Sequence, residues 1–484
     1  MRIHSILCLF ICSIAATLWP APLPAQEMQR PNVLFIAIDD LRNELGCLGV
    51  DHAQTPHLDA LAATGRLLTH HYTQVPTCGA SRAALLSGLY PRQPAQVGNN
   101  AIRDTHPDWA ANSLPGTFRQ HGYQTLALGK ISHYPGGRTG KHWAEGPEEL
   151  PGVWDRCWVP ETPWKTPEGL MHGYANGQPR RPGESPPLEA FDGPDLTYPD
   201  AWVADEAIRT LRDLSGSDRP WFFAVGFFKP HLPFAAPRHY FDRHDPEQIA
   251  APVVTDRPEE PSSWHRSGEF RGNYGHEQGR DPETDPEYAR DLRHAYAASI
   301  TYVDAQVGRV LDTLQTLGLA GNTVLVLWSD HGFLLGEHAI WGKHCLYENA
   351  LRSPLMIRYP GIPRPGAVSD AINETVDLFP TLLDLCDLPP QDGLDGRSLR
   401  PQLDDPEADS SRPAFAFWGN QRTIRTDRWR LIAHPGQDPA NPAVELFDMA
   451  NDPQESRNVV KDHPETVQKL LKILDQAPRP RGHP

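Results

Sequence analysis

Four nearly unbroken apolar runs punctuate the chain, and each stops at a charged or imidazole side chain. VLFIAI (Val33 to Ile38) ends in Asp39-Asp40, TLALG (from Thr125) in Lys130, WFFAVGFF (Trp221 to Phe228) in Lys229-Pro230-His231, and TVLVLW (Thr323 to Trp328) in Ser329-Asp330-His331. Runs of this length without alternation predict strands buried on both faces. Helical patterns separate them. Thr55-Pro56 supplies a cap and a first-turn proline ahead of Leu58, Leu61 and Ala62, AALLSGL follows Ser81-Arg82, and another helix is expected from about Ser113. The clearest helix spans roughly Glu287 to Leu317, with a stripe through Tyr296, Ile300, Val303, Val307, Val310 and Leu314. PLMIRYP reads as a further strand and VDLFPTLLDLC as a helix. This alternation predicts an α/β fold: a large, mostly parallel sheet between helices.

The pattern changes after Asp404. FAFWG, TIRTDRWRLIAH with a turn at Thr426-Asp427, and VELFDM read as short antiparallel strands, followed by a helix from Pro464 to Leu474. A catalytic domain over 31–405 and a smaller C-terminal α+β subdomain over 412–484 are therefore expected. Two stretches without a period, about Pro135 to Thr197 and Ala251 to Tyr288, read as long surface excursions of the kind that often bind ligands. His142, Trp143, Trp154 and Arg156 in the first are candidate sugar or carboxylate contacts. Residues 1–25 combine Arg2, an apolar run and small residues near Ala21 and Ala25, which is the pattern of a signal peptide. The expected product is secreted or periplasmic after its removal, with no membrane-spanning segment.

The chain has 484 residues and a net charge of −16, which argues against nucleic acid or an anionic membrane as the main partner. An anionic substrate would need a local basic pocket. Of seven cysteines, five follow the leader, so at least one thiol is left unpaired. Cys345 reads as a packing residue or a disulfide partner. Asn373-Glu374-Thr375 is a glycosylation sequon only in a eukaryotic host.

In parallel sheets ligands bind beyond the carboxyl ends of the strands, and that is where the polar clusters fall. Asp39, Asp40 and Asp330 could together hold a hard, oxygen-seeking cation such as calcium or magnesium. His331 ranks below them on chemistry alone. Lys130, Lys229, Lys343 and Arg82 are candidates for the basic pocket, and His133 and His231 for a general acid. Cys78 opens the helix that carries Arg82. Any one of these residues alone would more readily be a solvated strand end or a packed thiol; their coincidence argues for a site.

Cys78-Gly79-Ala80-Ser81-Arg82, continued by Leu86-Ser87-Gly88, resembles the C-x-[P/A]-S-R signature of the type I sulfatases. RPNVLFIAIDDLR, the GK pair followed by His133, KPHLPF, SDHGFLLGEH with Lys343 downstream, and the tail ELFDMANDPQESRN are also similar to that family. KPH, Asp-His-Gly and GEHxxWxK place the likeness nearest its iduronate-2-sulfatase branch. The resemblance implies an alkaline-phosphatase-like fold and hydrolysis of a sulfate ester, with one calcium ion per subunit. It implies that a formylglycine-generating or radical maturase converts Cys78 to Cα-formylglycine, whose gem-diol attacks sulfur. Ala80 stands where the oxygen-dependent maturase prefers proline and the radical enzyme accepts alanine. Carried over by position, the calcium ligands are Asp39, Asp40, the modified Cys78, Asp330 and His331. Arg82 and Lys130 hold and activate the modified residue. His133, Lys229, His231 and Lys343 contact sulfate or donate protons. The implied substrate is a sulfated oligo- or polysaccharide, with a uronate 2-O-sulfate as the expected unit. A phosphodiesterase or phosphonate monoester hydrolase of the same superfamily is the alternative enzyme; an inactive sugar binder would need neither the carboxylates nor the cysteine.

Overall fold

The computed structural model describes residues 30–104, 107–134, 149–409, 412–435, 443–478 and 480. The leader at 1–25 lies outside them, as do His142 and Trp143. An eight-stranded sheet runs in the order Val368–Ser369, Arg66–Leu68, Leu355–Arg358, Thr323–Ser329, Asn32–Ile38, Trp221–Phe227, Gln124–Gly129, Arg156–Trp158. The strand Asn32–Ile38 is central. It lies parallel to Thr323–Ser329 and to Trp221–Phe227, with Ile38 opposite both Ser329 and Phe227. Gln124–Gly129 extends the parallel set, Gly129 opposite Gly226. That register brings Asp39, Asp330, Lys229 and Lys130 to one edge of the sheet.

Alternation along the central strand divides the core. Leu34, Ile36 and Ile38 pack with residues of the helices Pro56–Thr64, Pro199–Leu214 and Pro286–Thr316, whereas Val33, Phe35 and Ala37 pack with those of Cys78–Ser87, Leu114–Gln120 and Leu378–Leu385. The central strands Asn32–Ile38, Trp221–Phe227 and Thr323–Ser329 are thus sealed on both faces, every residue of them buried. The strand Leu355–Arg358, expected from PLMIRYP, is antiparallel to both neighbours. Its composition carries no direction, so only the connection decides this. Pro199–Leu214 falls just past the first excursion and is a full helix opened by its proline; its buried face runs through Val203, Ala204, Ala207, Leu211 and Leu214, a helical stripe the sequence itself carries.

Four antiparallel strands, Ala414–Trp418, Gln421–Arg425, Trp429–His434 and Ala443–Asp448, form a second sheet in chain order. Leu470 and Leu474 of the helix Pro464–Gln476 cover one face against Ile424, Leu431 and Leu446. The other face meets the segment after Lys343: Ala416, Ile432 and Phe447 pack with Cys345, Leu346 and Tyr347. Cys345 is a free, buried thiol there, which settles its two readings in favour of packing. Among the described residues no helix is long and apolar enough to cross a membrane.

Candidate active site

Asp39 and Asp40 would point to opposite faces of the sheet if the strand continued. It does not: Asp40 adopts a left-handed backbone, φ 59°. For a residue other than glycine this costs on the order of 1–3 kcal/mol, a cost found mainly where function demands it. The Tyr296 hydroxyl braces the turn, donating to the Asp40 carbonyl at 2.7 Å and accepting from Arg42 N–H at 3.0 Å. Asp330 joins from the adjacent strand end, where its Oδ1 accepts from the N–H groups of Asp40 at 3.1 Å and His331 at 3.0 Å.

Cys78 enters from the helix above. Thr77 is extended and Cys78 begins the first turn. Gly79 is required here, because a Cβ would stand 2.1 Å from the Asn99 carbonyl oxygen. The Cys78 Sγ lies 3.3 Å from Lys343 Nζ, 3.4 Å from His331 Nε2 and 3.8 Å from Asp40 Oδ1. Ligand atoms of Asp39, Asp40, Cys78 and His231 lie within 4.8 Å of one another, as do those of Cys78, Asp330 and His331. The His331 Nδ1 lies 2.9 Å from the Gly332 carbonyl, so it carries the hydrogen and leaves the Nε2 lone pair facing the cluster.

Cations neutralise the carboxylates in pairs. Arg82 Nε donates to Asp330 Oδ2 at 3.0 Å, its Nη2 reaches Asp39 Oδ1 at 3.2 Å, and its Nη1 donates to the carbonyls of Lys130 and Ile131. Lys130 Nζ donates to the other Asp39 oxygen. Lys343 Nζ donates to both Asp40 oxygens, at 2.8 and 2.9 Å. Asp39, Asp40, Asp330, Arg82 and Lys130 have no exposure at all. Burial alone would raise the Asp39 carboxyl, but Lys130, His231 and Arg82 hold it well below the usual range. Burial dominates at Asp40 and pushes it well up, with Asp39 and Asp330 adding repulsion against the pull of Lys343. Burial also raises the Cys78 thiol, and Asp39 adds to it. A thiol so placed stays protonated and is a poor nucleophile.

The donor set suits a hard cation: the carboxylates of Asp39 and Asp40 lie on one side of Cys78, and Asp330 with the His331 imidazole on the other, all buried. The sulfur of Cys78 is the one soft donor among them.

The Sulfatase family model matches residues 31–388. The chain belongs to the sulfatase family. A second model, described as N-sulphoglucosamine sulphohydrolase, C-terminal, matches residues 336–478 of this sulfatase. A sulfatase of Formosa agariphila is 30% identical over 94% of the chain and 88% of its own length. Human iduronate 2-sulfatase is 30% identical over 74% and 69%, respectively. Among solved structures, the phosphonate monoester hydrolase of Silicibacter pomeroyi superposes with a TM-score of 0.72 at 26% identity, covering 92% of this chain and 94% of that one. The fold is that of the alkaline phosphatase superfamily and the chain is a sulfuric ester hydrolase.

Several residues of this sulfatase sit otherwise than expected. Lys229 is wholly buried, and its Nζ donates to the carbonyls of His231 at 3.1 Å and Pro233 at 2.6 Å. It fastens its own loop instead of facing a sulfate. Arg82 faces carboxylates and carbonyls, so it arranges the site and leaves no fork for an oxyanion. Trp154 is buried against Phe222, and Arg156 stacks over Trp158 on the edge strand, so neither is placed as a sugar contact. His133 is buried within the electrostatic reach of Lys130 and Asp39. His231 presents Nε2 to the site because its Nδ1 lies 2.8 Å from the Leu232 carbonyl.

Glu269 was not anticipated. It comes from the second excursion and stands 3.7 Å from Lys343 Nζ and 3.6 Å from His231 Nε2. A lone acidic residue in a charged, aperiodic stretch gives the sequence no marker.

Proposed function

We propose that this sulfatase is exported, after removal of residues 1–25, and releases sulfate from a sulfated sugar of an anionic polysaccharide, with a uronate 2-O-sulfate as the expected unit. The observation that carries the reading is the convergence of Asp39, Asp40, Asp330, His331 and Lys343 on Cys78. The iduronate 2-sulfatases of mouse and human, 29% and 30% identical, support the choice of sugar. The catalytic domain over 31–405 and the subdomain over 412–484 form part of the same proposal.

Asp39, Asp40, Asp330 and His331 would hold calcium. The ion would screen the negative charge of the sulfate oxygens, and the formylglycine made from Cys78 would supply an oxygen nucleophile. That conversion also removes the mismatch of one sulfur in an oxygen-rich donor set. Lys130 and Arg82 fix the carboxylates in place. Lys343, beside Cys78, stabilises charge on the transferring sulfuryl group. His231 aims Nε2 at the space over Cys78 and is placed to deliver a proton to the departing alcohol oxygen; His133 is the second candidate donor. Preorganised charge of this kind is what an unreactive sulfate monoester demands.

Matched assays on 4-nitrophenyl sulfate and an aryl phosphodiester test the reading. A much larger kcat/KM on the sulfate is expected. A preference for the phosphodiester would instead favour the phosphonate hydrolase alternative, to which the fold likeness also extends.

A further inference from the structure

The short helix Gly268–Asn273 is pinned to the chain that carries Lys343. Ser267 takes a left-handed backbone, φ 54°, and its Oγ accepts from Trp341 N–H at 2.8 Å. Phe270 stacks on the Trp341 ring with centroids 5.8 Å apart. On the helix's far side Arg271 pairs with Asp281 at 2.8 Å. Strain at a bulkier-than-glycine residue, held by two contacts to one tryptophan, fixes whatever lies between them. What lies between them is Glu269.

Its carboxylate has an unusual balance of contacts. Among the described residues it makes two ion-pair contacts, at 3.6 Å to His231 Nε2 and 3.7 Å to Lys343 Nζ, and neither is short enough to be a hydrogen bond. Its side chain is 19% exposed, against 4% for His231 and 3% for Lys343. Glu269 therefore stands on the solvent side of both, with acceptor lone pairs still available. A substrate whose ester oxygen meets His231 must bring the next part of its alcohol alongside Glu269.

We propose that Glu269 is a specificity residue that accepts a hydrogen bond from a hydroxyl vicinal to the sulfate ester. The inference rests on the sulfatase reading and deepens it. Neighbouring oxygens on a sugar ring lie about a hydrogen-bond length apart. Ester oxygen, His231 Nε2, Glu269 carboxylate and vicinal hydroxyl then close a four-membered circuit whose fixed protein edge is the 3.6 Å separation. The carboxylate accepts and cannot donate, so it selects a donor at that carbon. A second sulfate or another anion at the same carbon meets an uncompensated like charge and is disfavoured. The acid group of a 2-sulfated uronate lies across the ring from the ester, so it does not meet Glu269.

The test uses trans-1,2-cyclohexanediol monosulfate and cyclohexyl sulfate, which differ only in the vicinal hydroxyl, as competitors of 4-nitrophenyl sulfate hydrolysis. The wild-type enzyme should bind the diol ester at least about tenfold more tightly, since a site built to bond a hydroxyl discriminates strongly against its absence. The ratio of the two inhibition constants should fall towards one in Glu269→Ala and only part of the way in Glu269→Gln, whose amide oxygen still accepts. A ratio near one in the wild type, or one that survives Glu269→Ala, overturns the assignment while leaving the sulfatase reading intact. Failure of the wild type to hydrolyse 4-nitrophenyl sulfate alongside turnover of the aryl phosphodiester overturns the reading and the assignment together.

Discussion

Lys343 donates to both carboxylate oxygens of Asp40 while its Nζ stands 3.3 Å from the sulfur of Cys78. One ammonium thus spans a cation-site carboxylate and the nucleophile's position. Burial works against its charge, but Asp40 and the nearby acidic groups hold it firmly protonated. Lys343→Ala should lower kcat by about 10²–10³-fold, the usual loss when a preorganised charge is removed from a transition state. Steady-state kinetics on an aryl sulfate, with Lys343→Arg for comparison, would check this.

Arg82 makes a different prediction because it braces buried carboxylates and backbone carbonyls. Its fork joins Asp39 and Asp330 with no solvent contact. Removing one member of such a set leaves buried charge unpaired, at about 3–5 kcal/mol. Arg82→Ala should therefore lose stability as well as activity, and Lys at this position cannot span both partners. Denaturant unfolding of the variant should show the loss; unchanged unfolding would contradict the role.

The donor set around Cys78 should bind calcium in the folded state only. Chelation with EGTA should lower Tm and added calcium should restore it in a concentration-dependent way, as ligand linkage requires. Asp330→Asn should abolish that calcium response. A thermal shift indifferent to both treatments would argue against a resident cation.

His71 offers a pH test away from the chemistry. It is fully buried between Ser353 and Thr375, and burial lowers it to about 3. The unfolded chain takes up a proton near the ordinary value of 6.5, whereas the folded one does not until about pH 3. The contribution of His71 to stability is therefore complete above pH 6.5 and is lost progressively as pH falls to about 3. By pH 5 the loss from this group is about 2 kcal/mol at roughly 1.4 kcal/mol per pH unit. The fall in Tm between pH 7.5 and 5 should be smaller in His71→Gln.

The central strands and their polar ends were legible because a strand sealed on both faces must be apolar throughout, so its first charged residue marks where solvent or chemistry begins. Asp39, Asp40, Lys130 and Asp330 all lie within a residue or two of such an end. What the pattern lacked was orientation. Lys229 occupies a strand end as clearly as Lys130 does, yet turns back on its own loop, and no periodicity encodes a side-chain direction. The helix Pro199–Leu214 carries a readable stripe through Val203, Ala207, Leu211 and Leu214, whereas the direction of the reversed strand Leu355–Arg358 depends on connection. Glu269 depends on a left-handed serine and a stacked tryptophan far along the chain, which become neighbours only in the fold.

The mass of the tryptic peptide 67–82, measured beside turnover of an aryl sulfate, tests the account most directly. Active preparations should carry the peptide in which the Cys78 side chain has exchanged CH2SH for an aldehyde, with activity proportional to that fraction, and Cys78→Ala should be inactive. Full activity from protein whose Cys78 is wholly a thiol would contradict it.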